Sequence, residues 1–200
     1  MMIVTHLDEI PPTTDKWALT IGSFDGVHLG HLHLIEALKK EGKAAVVTFR
    51  NHPVQHFKKT DLFSPITTLE EKLDLLEKAG VDLVILLEFN DDLLQKTYTT
   101  FLDEIRARLP FSSLVLGTGA AFGKGRAGDE KHVQVLAKAR GFKAIYLPKF
   151  TLDGETISSG KIRDAIRRGD FEHASKLLGR KIKSTRRKKD AMDKEWTKWT

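Results

Sequence analysis

A chain of 200 residues with 40% apolar and 30% charged side chains is long enough to bury one well-cored domain. It has no cysteine, which excludes disulfides and thiolate metal ligands and fits a cytoplasmic protein; it also has no apolar run of membrane-spanning length and no signal-peptide layout at its start. The net charge of +6 sits at one end, where residues 181–200 hold eight Lys/Arg against three acids, a local +5 that leaves +1 for the rest.

The body, residues 1–180, is therefore expected to be one domain with no nucleic-acid-binding face. The basic tail, with Arg186-Arg187-Lys188-Lys189, Trp196 and Trp199, is expected to be disordered, with contact to nucleic acid or another acidic partner left open.

Short apolar runs then alternate with helical patterns. Residues 17–22 read as a strand and 29–40 as its helix, with Leu29, Leu32, Ile35, Ala37 and Leu38 on an apolar face. Residues 43–49 are a second strand. Thr67-Thr68-Leu69-Glu70-Glu71 has the pattern of a helix start, the helix covers 68–78, and Gly80 closes it. A strand over 82–87, one helical stretch over 91–109 ended by Pro110, a strand over 113–116, a helix over 129–140 and a strand over 144–147 follow. The alternation then stops: residues 157–163 lead into a helix running through Gly169, and 171–178 form one more, ending at Gly179. The pattern implies an α/β fold, a Rossmann-like open parallel sheet with helices on both faces and ligands beyond the carboxyl ends of the strands. The loops 23–28, 50–65 and 117–128 leave from those ends and are expected to face one another.

The first of these loops carries the most chemistry. An apolar strand runs into Gly22-Ser23-Phe24-Asp25-Gly26-Val27-His28-Leu29-Gly30-His31, which hands two histidines to the start of a helix. Backbone N–H groups in a glycine-rich turn and at a helix N-terminus form an anion site, and two imidazoles one turn apart add donors. Gly30 between them lets backbone approach closely. His33 points elsewhere by helical periodicity. Asp25-Gly26 is equally readable as a plain turn or as a group orienting the loop or a metal's water shell. Ser158 and Ser159 are natural helix caps, with Arg163 on the face where a phosphate held at that helix start would sit and Lys161 a weaker candidate. No cluster of metal ligands is in view.

The decapeptide 22–31 resembles the signature of bacterial FAD synthetases, in their N-terminal FMN adenylyltransferase domain. Thr48-Phe49-Arg50-Asn51-His52-Pro53 is similar to the segment after that family's second strand, and residues 116–129, with Phe122-Gly123-Lys124-Gly125-Arg126, to its fourth-strand loop. Ile157-Ser158-Ser159-Gly160-Lys161-Ile162-Arg163 and Leu177-Leu178-Gly179-Arg180 resemble the closing segments, so the similarity covers about residues 15 to 180.

The resemblance implies a nucleotidylyltransferase-type fold and transfer of AMP from ATP to FMN, giving FAD and pyrophosphate, with Mg²⁺ implied by the ATP chemistry. It gives His28, His31 and Arg163 catalytic roles. Gly22, Ser23, Phe24, Asp25, Gly30, Ser158, Ser159 and Lys161 fall to the ATP side, and His52, Pro53, Phe57, Gly117 and Phe122 to the flavin side, with Phe63 a further aromatic in reach.

Two places depart from the family pattern. Thr118-Gly119-Ala120-Ala121 stands where an acid or amide is usual near the flavin, and Gly160 stands where a third Ser/Thr is usual. The riboflavin kinase phosphate motif Pro-Thr-Ala-Asn does not occur, so riboflavin phosphorylation is not expected. Transfer to a different phosphate acceptor, and a catalytically weakened flavin- or ATP-binding regulator, remain as alternatives.

Overall fold

A computed structural model describes residues 1–53 and 64–182. Strands β1 (Met2–Val4), β2 (Trp17–Ile21), β3 (Lys43–Phe49), β4 (Leu83–Leu87), β5 (Phe111–Gly117) and β6 (Lys143–Leu147) form one parallel sheet in the order β1-β4-β3-β2-β5-β6. The chain leaves β2 to one side for β3 and β4, then returns past it to β5 and β6. The carboxyl end of β2 is thus the point where strand order reverses, the crevice in which open parallel sheets bind ligands.

Alternate side chains of the strands go to opposite faces and are covered there by helices. Helices α1 (Leu29–Glu41) and α2 (Leu69–Lys78) pack Ile35, Leu38 and Leu76 against Ala18, Val46, Val84 and Val115. On the other face α3 (Asp91–Gln95), α4 (Tyr98–Arg108) and α5 (Glu130–Arg140) supply Leu93, Phe101, Leu102, Ile105, Val133 and Leu136 against Leu19, Val47, Ile85 and Leu114. A hairpin, β7 (Thr151–Leu152) with β8 (Glu155–Thr156), leads into α6 (Ser159–Arg168) and α7 (Phe171–Leu178). These two helices bury Ile162, Ala165, Leu177 and Leu178 in a third cluster with Ile66, and Leu29 at the start of α1 packs on it. Packing continues to Ile182, beyond the expected boundary at 180.

Three elements differ from the expectations. The stretch 91–109 is two helices, because Lys96 turns extended (ψ 132°) and the Thr97 hydroxyl accepts the Thr100 N–H at 3.1 Å, so a local cap interrupts the apolar periodicity. Strand β1, three residues long with two of them exposed, pairs with β4 and is too short for a periodic signal. The hairpin turns at Asp153 (φ 50°) and Gly154 (φ 79°), and that Asp-Gly pair is the signal that would have found it.

Candidate active site

Side chains from several elements hold the loop after β2 by its carbonyls. Ser23 O accepts from Thr48 Oγ1 at 3.1 Å and from Lys72 Nζ at 3.5 Å, and Phe24 O from Val27 N–H at 3.2 Å. Asp25 O accepts from Ser159 Oγ at 2.9 Å, and the Arg180 guanidinium donates to Val27 O at 2.9 Å and to Gly26 O. The loop therefore keeps a conformation it would not choose alone: Phe24 (φ 49°) and Val27 (φ 37°) are left-handed and buried, at a cost of about 1–3 kcal/mol each. The N–H groups of Ser23, Phe24, Leu29 and Gly30 have no partner among the described residues. That is a concentration of unspent donors at a helix start.

Gly22 is a correction to the sequence reading. Its N–H is spent on Val47 O at 3.0 Å, so it offers a nucleotide no donor. A Cβ there would lie 3.1 Å from Phe24 Cε2, so the residue is small to admit the Phe24 ring. Gly30 similarly faces the His28 ring, 3.2 Å from a built Cβ.

His28 and His31 cap α1 reciprocally. Each Nδ1 accepts the other residue's backbone N–H at 3.3 Å, and the rings stack with centroids 3.6 Å apart. A neutral imidazole that accepts at Nδ1 carries its proton on Nε2, so each ring keeps an Nε2–H donor to offer. Burial pushes the His28 pKa down to about 4, with the Arg180 charge acting in the same direction. Burial, His28 and Arg180 together hold His31 well below its ordinary value. Both are neutral donors at pH 7 in the ligand-free protein. His33 packs against Phe150 with ring centroids 5.1 Å apart, away from the pair.

Asp25 is more than a bare turn residue: it orients the loop. Its Oδ1 accepts from Ile66 N–H at 2.7 Å and Thr67 N–H at 3.4 Å, and its Oδ2 accepts from Arg163 Nη1 at 2.6 Å. Its carboxylate is thus committed to Arg163 and to the segment before α2. Among the described residues no group of three His, Asp or Glu is placed to hold a metal ion. Ser158 caps α6 by accepting Lys161 N–H at 3.3 Å. Lys161 Nζ pairs with Glu155 at 3.2 Å, which weakens its candidacy for phosphate.

The described ends of the loop after β3, residues 50–53 and 64–65, meet the loop after β2, and residues 54–63 lie outside the described residues. Asn51 exchanges two 2.8 Å hydrogen bonds with the Phe89 backbone, which fixes the loop carrying His52 and Pro53. Burial takes His52 down to about 4; Asp25 opposes that shift, while Arg163 and Lys72 add to it. Ser23, Asp25, His52, Thr67 and Lys72 line one small cavity of about 90 Å³.

The third loop is tied elsewhere. Lys124 N–H donates to Lys96 O at 2.7 Å, and Phe122 pairs with Gly128. The partly buried Phe122 ring packs edge-on to Phe101, with centroids 6.2 Å apart, at the margin of the core. Beside Gly117, the Thr118 hydroxyl donates to Leu147 O at 2.9 Å. Phe57 and Phe63 lie outside the described residues, as does the tail from 183 onward. Sequence reasoning missed Lys72 and Arg180 as site residues. Lys72 falls on the inward stripe of α2 with Leu69, Leu73 and Leu76, which is the signal that would have found it.

The histidine titrations predict a pH dependence of stability. The folded-state pKa values of His28 and His52 lie near 4, below the ordinary 6.5, so the unfolded chain takes up protons first as pH falls. Stability is then full above pH 6.5 and is lost between 6.5 and 4. At pH 5 His28 alone contributes a loss of about 2 kcal/mol. Urea unfolding at pH 7 and pH 5 checks the sign, and equal stability at both would contradict it.

Residues 10–161 match the family described as FAD synthetase. The chain belongs to the FAD synthetase family. It is 33% identical over 186 residues to a bifunctional riboflavin kinase/FMN adenylyltransferase of Haemophilus influenzae, a match covering 90% of this chain and 60% of that protein. It is also 33% identical over 184 residues to an FAD synthetase of Listeria monocytogenes, covering 89% of this chain and 75% of that one. The chain thus spans less than two thirds of the Haemophilus protein. A solved structure of a macrolide-efflux protein from Streptococcus pneumoniae shares the fold, with a TM-score of 0.80 at 25% identity over 90% of this chain and 60% of that one. The family match ends at residue 161, before Arg163 and Arg180, and the contacts of those two residues are read from the structure. Among the described residues no helix is long and apolar enough to cross a membrane.

Proposed function

We propose that this protein is an FMN adenylyltransferase of the cytoplasm. An FMN phosphate oxygen attacks the α-phosphorus of ATP, the bond from the α-phosphorus to the bridging oxygen breaks, and FAD and pyrophosphate leave. Such a displacement needs positioning and charge stabilisation rather than a protein nucleophile. The carrying observation is the stacked, neutral pair His28 and His31, each with an Nε2–H donor, beside the unspent N–H groups at the end of β2. In this reading the imidazoles donate to ATP phosphate oxygens as charge grows on the leaving pyrophosphate. Ser23, Phe24 and Gly30 offer backbone N–H groups, and Arg163, held on Asp25, adds charge. Mg²⁺ enters with ATP as part of the substrate. Residues 1–180 would form the catalytic unit.

One observation favours a second acceptor within the same reaction class. The loop that would flank the flavin has its Thr118 hydroxyl bonded to Leu147 O, and Gly119, Ala120 and Ala121 carry no polar side chain. Incubation with MgATP and a panel of phosphate-bearing acceptors, resolved by chromatography, separates the two. FMN is expected to be the acceptor consumed, and pyrophosphate released only with another acceptor would replace the flavin half of the proposal.

A further inference from the structure

Lys72 is the one lysine among the described residues that is buried, and the mechanism above does not use it. Its Nζ donates to Phe49 O at 2.6 Å, Thr48 Oγ1 at 3.3 Å and Ser23 O at 3.5 Å. Three protons thus meet three acceptors, and these belong to the carboxyl ends of two neighbouring strands. Ser23 begins the loop that ends at His28, the cap of the helix that carries His31; Phe49 precedes the loop that carries His52. Thr48 Oγ1 in turn donates to Ser23 O, so the ammonium and the hydroxyl form one network across both strands. A buried ammonium is costly unless every proton is satisfied, and among the described residues these three oxygens, not a salt bridge, satisfy this one.

We infer that Lys72 is a positioning residue that locks the ATP-side loop and the flavin-side loop into one geometry by donating to the carbonyls at their origins. Its effect reaches the reacting phosphates through the backbone of Ser23 and the residues that follow. The groups facing it are Asp25 from the loop after β2, itself paired with Arg163 of α6, and His52 from the loop after β3. Burial brings Lys72 down to about 8, with Asp25 opposing. Losing a proton there leaves two donors for three acceptors, so the lock loosens on the alkaline side.

The inference rests on the adenylyltransferase reading for its kinetic part only, and the test separates the two. Lys72→Met and Lys72→Arg are compared with the wild type by hydrogen exchange and by FAD formation. In Lys72→Met, peptides covering residues 22–28 and 48–53 should exchange at least tenfold faster than in wild type while residues 73–78 keep their protection, and kcat should fall at least tenfold. Lys72→Arg, which does not titrate, should restore most of kcat and move the alkaline limb of the pH profile upward by at least one unit. Unchanged exchange in both loops with kcat within twofold of wild type in Lys72→Met would overturn the inference. If Lys72→Met does not fold, an alkaline limb unmoved by Lys72→Arg overturns it and a shifted one supports it. If the wild type makes no FAD, the functional reading fails while the exchange result still decides the role of Lys72.

Discussion

Removing the two Nε2–H donors of His28 and His31 together is expected to slow FAD formation by about 10³- to 10⁴-fold. A single preorganised donor to developing charge is worth about 10²–10³ in rate, and paired groups acting on one phosphate chain do not add fully. Alanine would also remove two caps from α1, at about 1 kcal/mol each. The variant that keeps the caps is His28→Asn with His31→Gln: each amide oxygen can still accept the N–H that Nδ1 now accepts, and the amide NH2, on a shorter flexible arm, no longer holds the ring's fixed Nε2–H direction. Single-turnover FAD yield and urea unfolding then separate catalysis from capping. The rate should collapse while stability changes by less than about 1 kcal/mol. A double variant turning over at the wild-type rate would remove both histidines from the chemistry.

The largest expected loss of stability is at Asp25. Asp25→Ala removes the acceptor of two backbone N–H groups, those of Ile66 and Thr67, and the carboxylate facing Arg163, from a side chain only 4% exposed. Removing one partner of a buried ion pair costs about 3–5 kcal/mol. The reciprocal change, Arg163→Ala, leaves the carboxylate with both N–H donors and should cost less, about 1–3 kcal/mol. Denaturant midpoints of the two variants test that order. Equal losses, or a larger loss in Arg163→Ala, would mean that Asp25 is not the hub of the loop.

The fold was largely legible because apolar runs and capping residues report on neighbours within a few positions. Thr68 caps α2 as its pattern implied, with Glu71 returning the bond. Thr97 was hidden inside an apolar periodicity that looked continuous across it. At the site, the histidine pair was legible from its place after a strand, and the resemblance supplied Arg163. The partners of Asp25 lie 41, 42 and 138 positions away, a separation no local pattern encodes. For the same reason the sequence left the N–H of Gly22 available, although Val47 on the adjacent strand takes it. Lys72 drew no reading from the sequence, because its partners Phe49 and Ser23 lie 23 and 49 positions away.

In the proposed reaction the β2 loop and its histidines hold ATP for attack at the α-phosphorus. Incubation with FMN, Mg²⁺ and ATP labelled at the α-phosphate follows that phosphorus to its product. Label is expected in FAD, matched one to one by pyrophosphate, and its appearance is expected to slow by about 10³- to 10⁴-fold in the His28→Asn, His31→Gln variant. Label that stays in ATP, or appears in free AMP with FMN unconsumed, would contradict it.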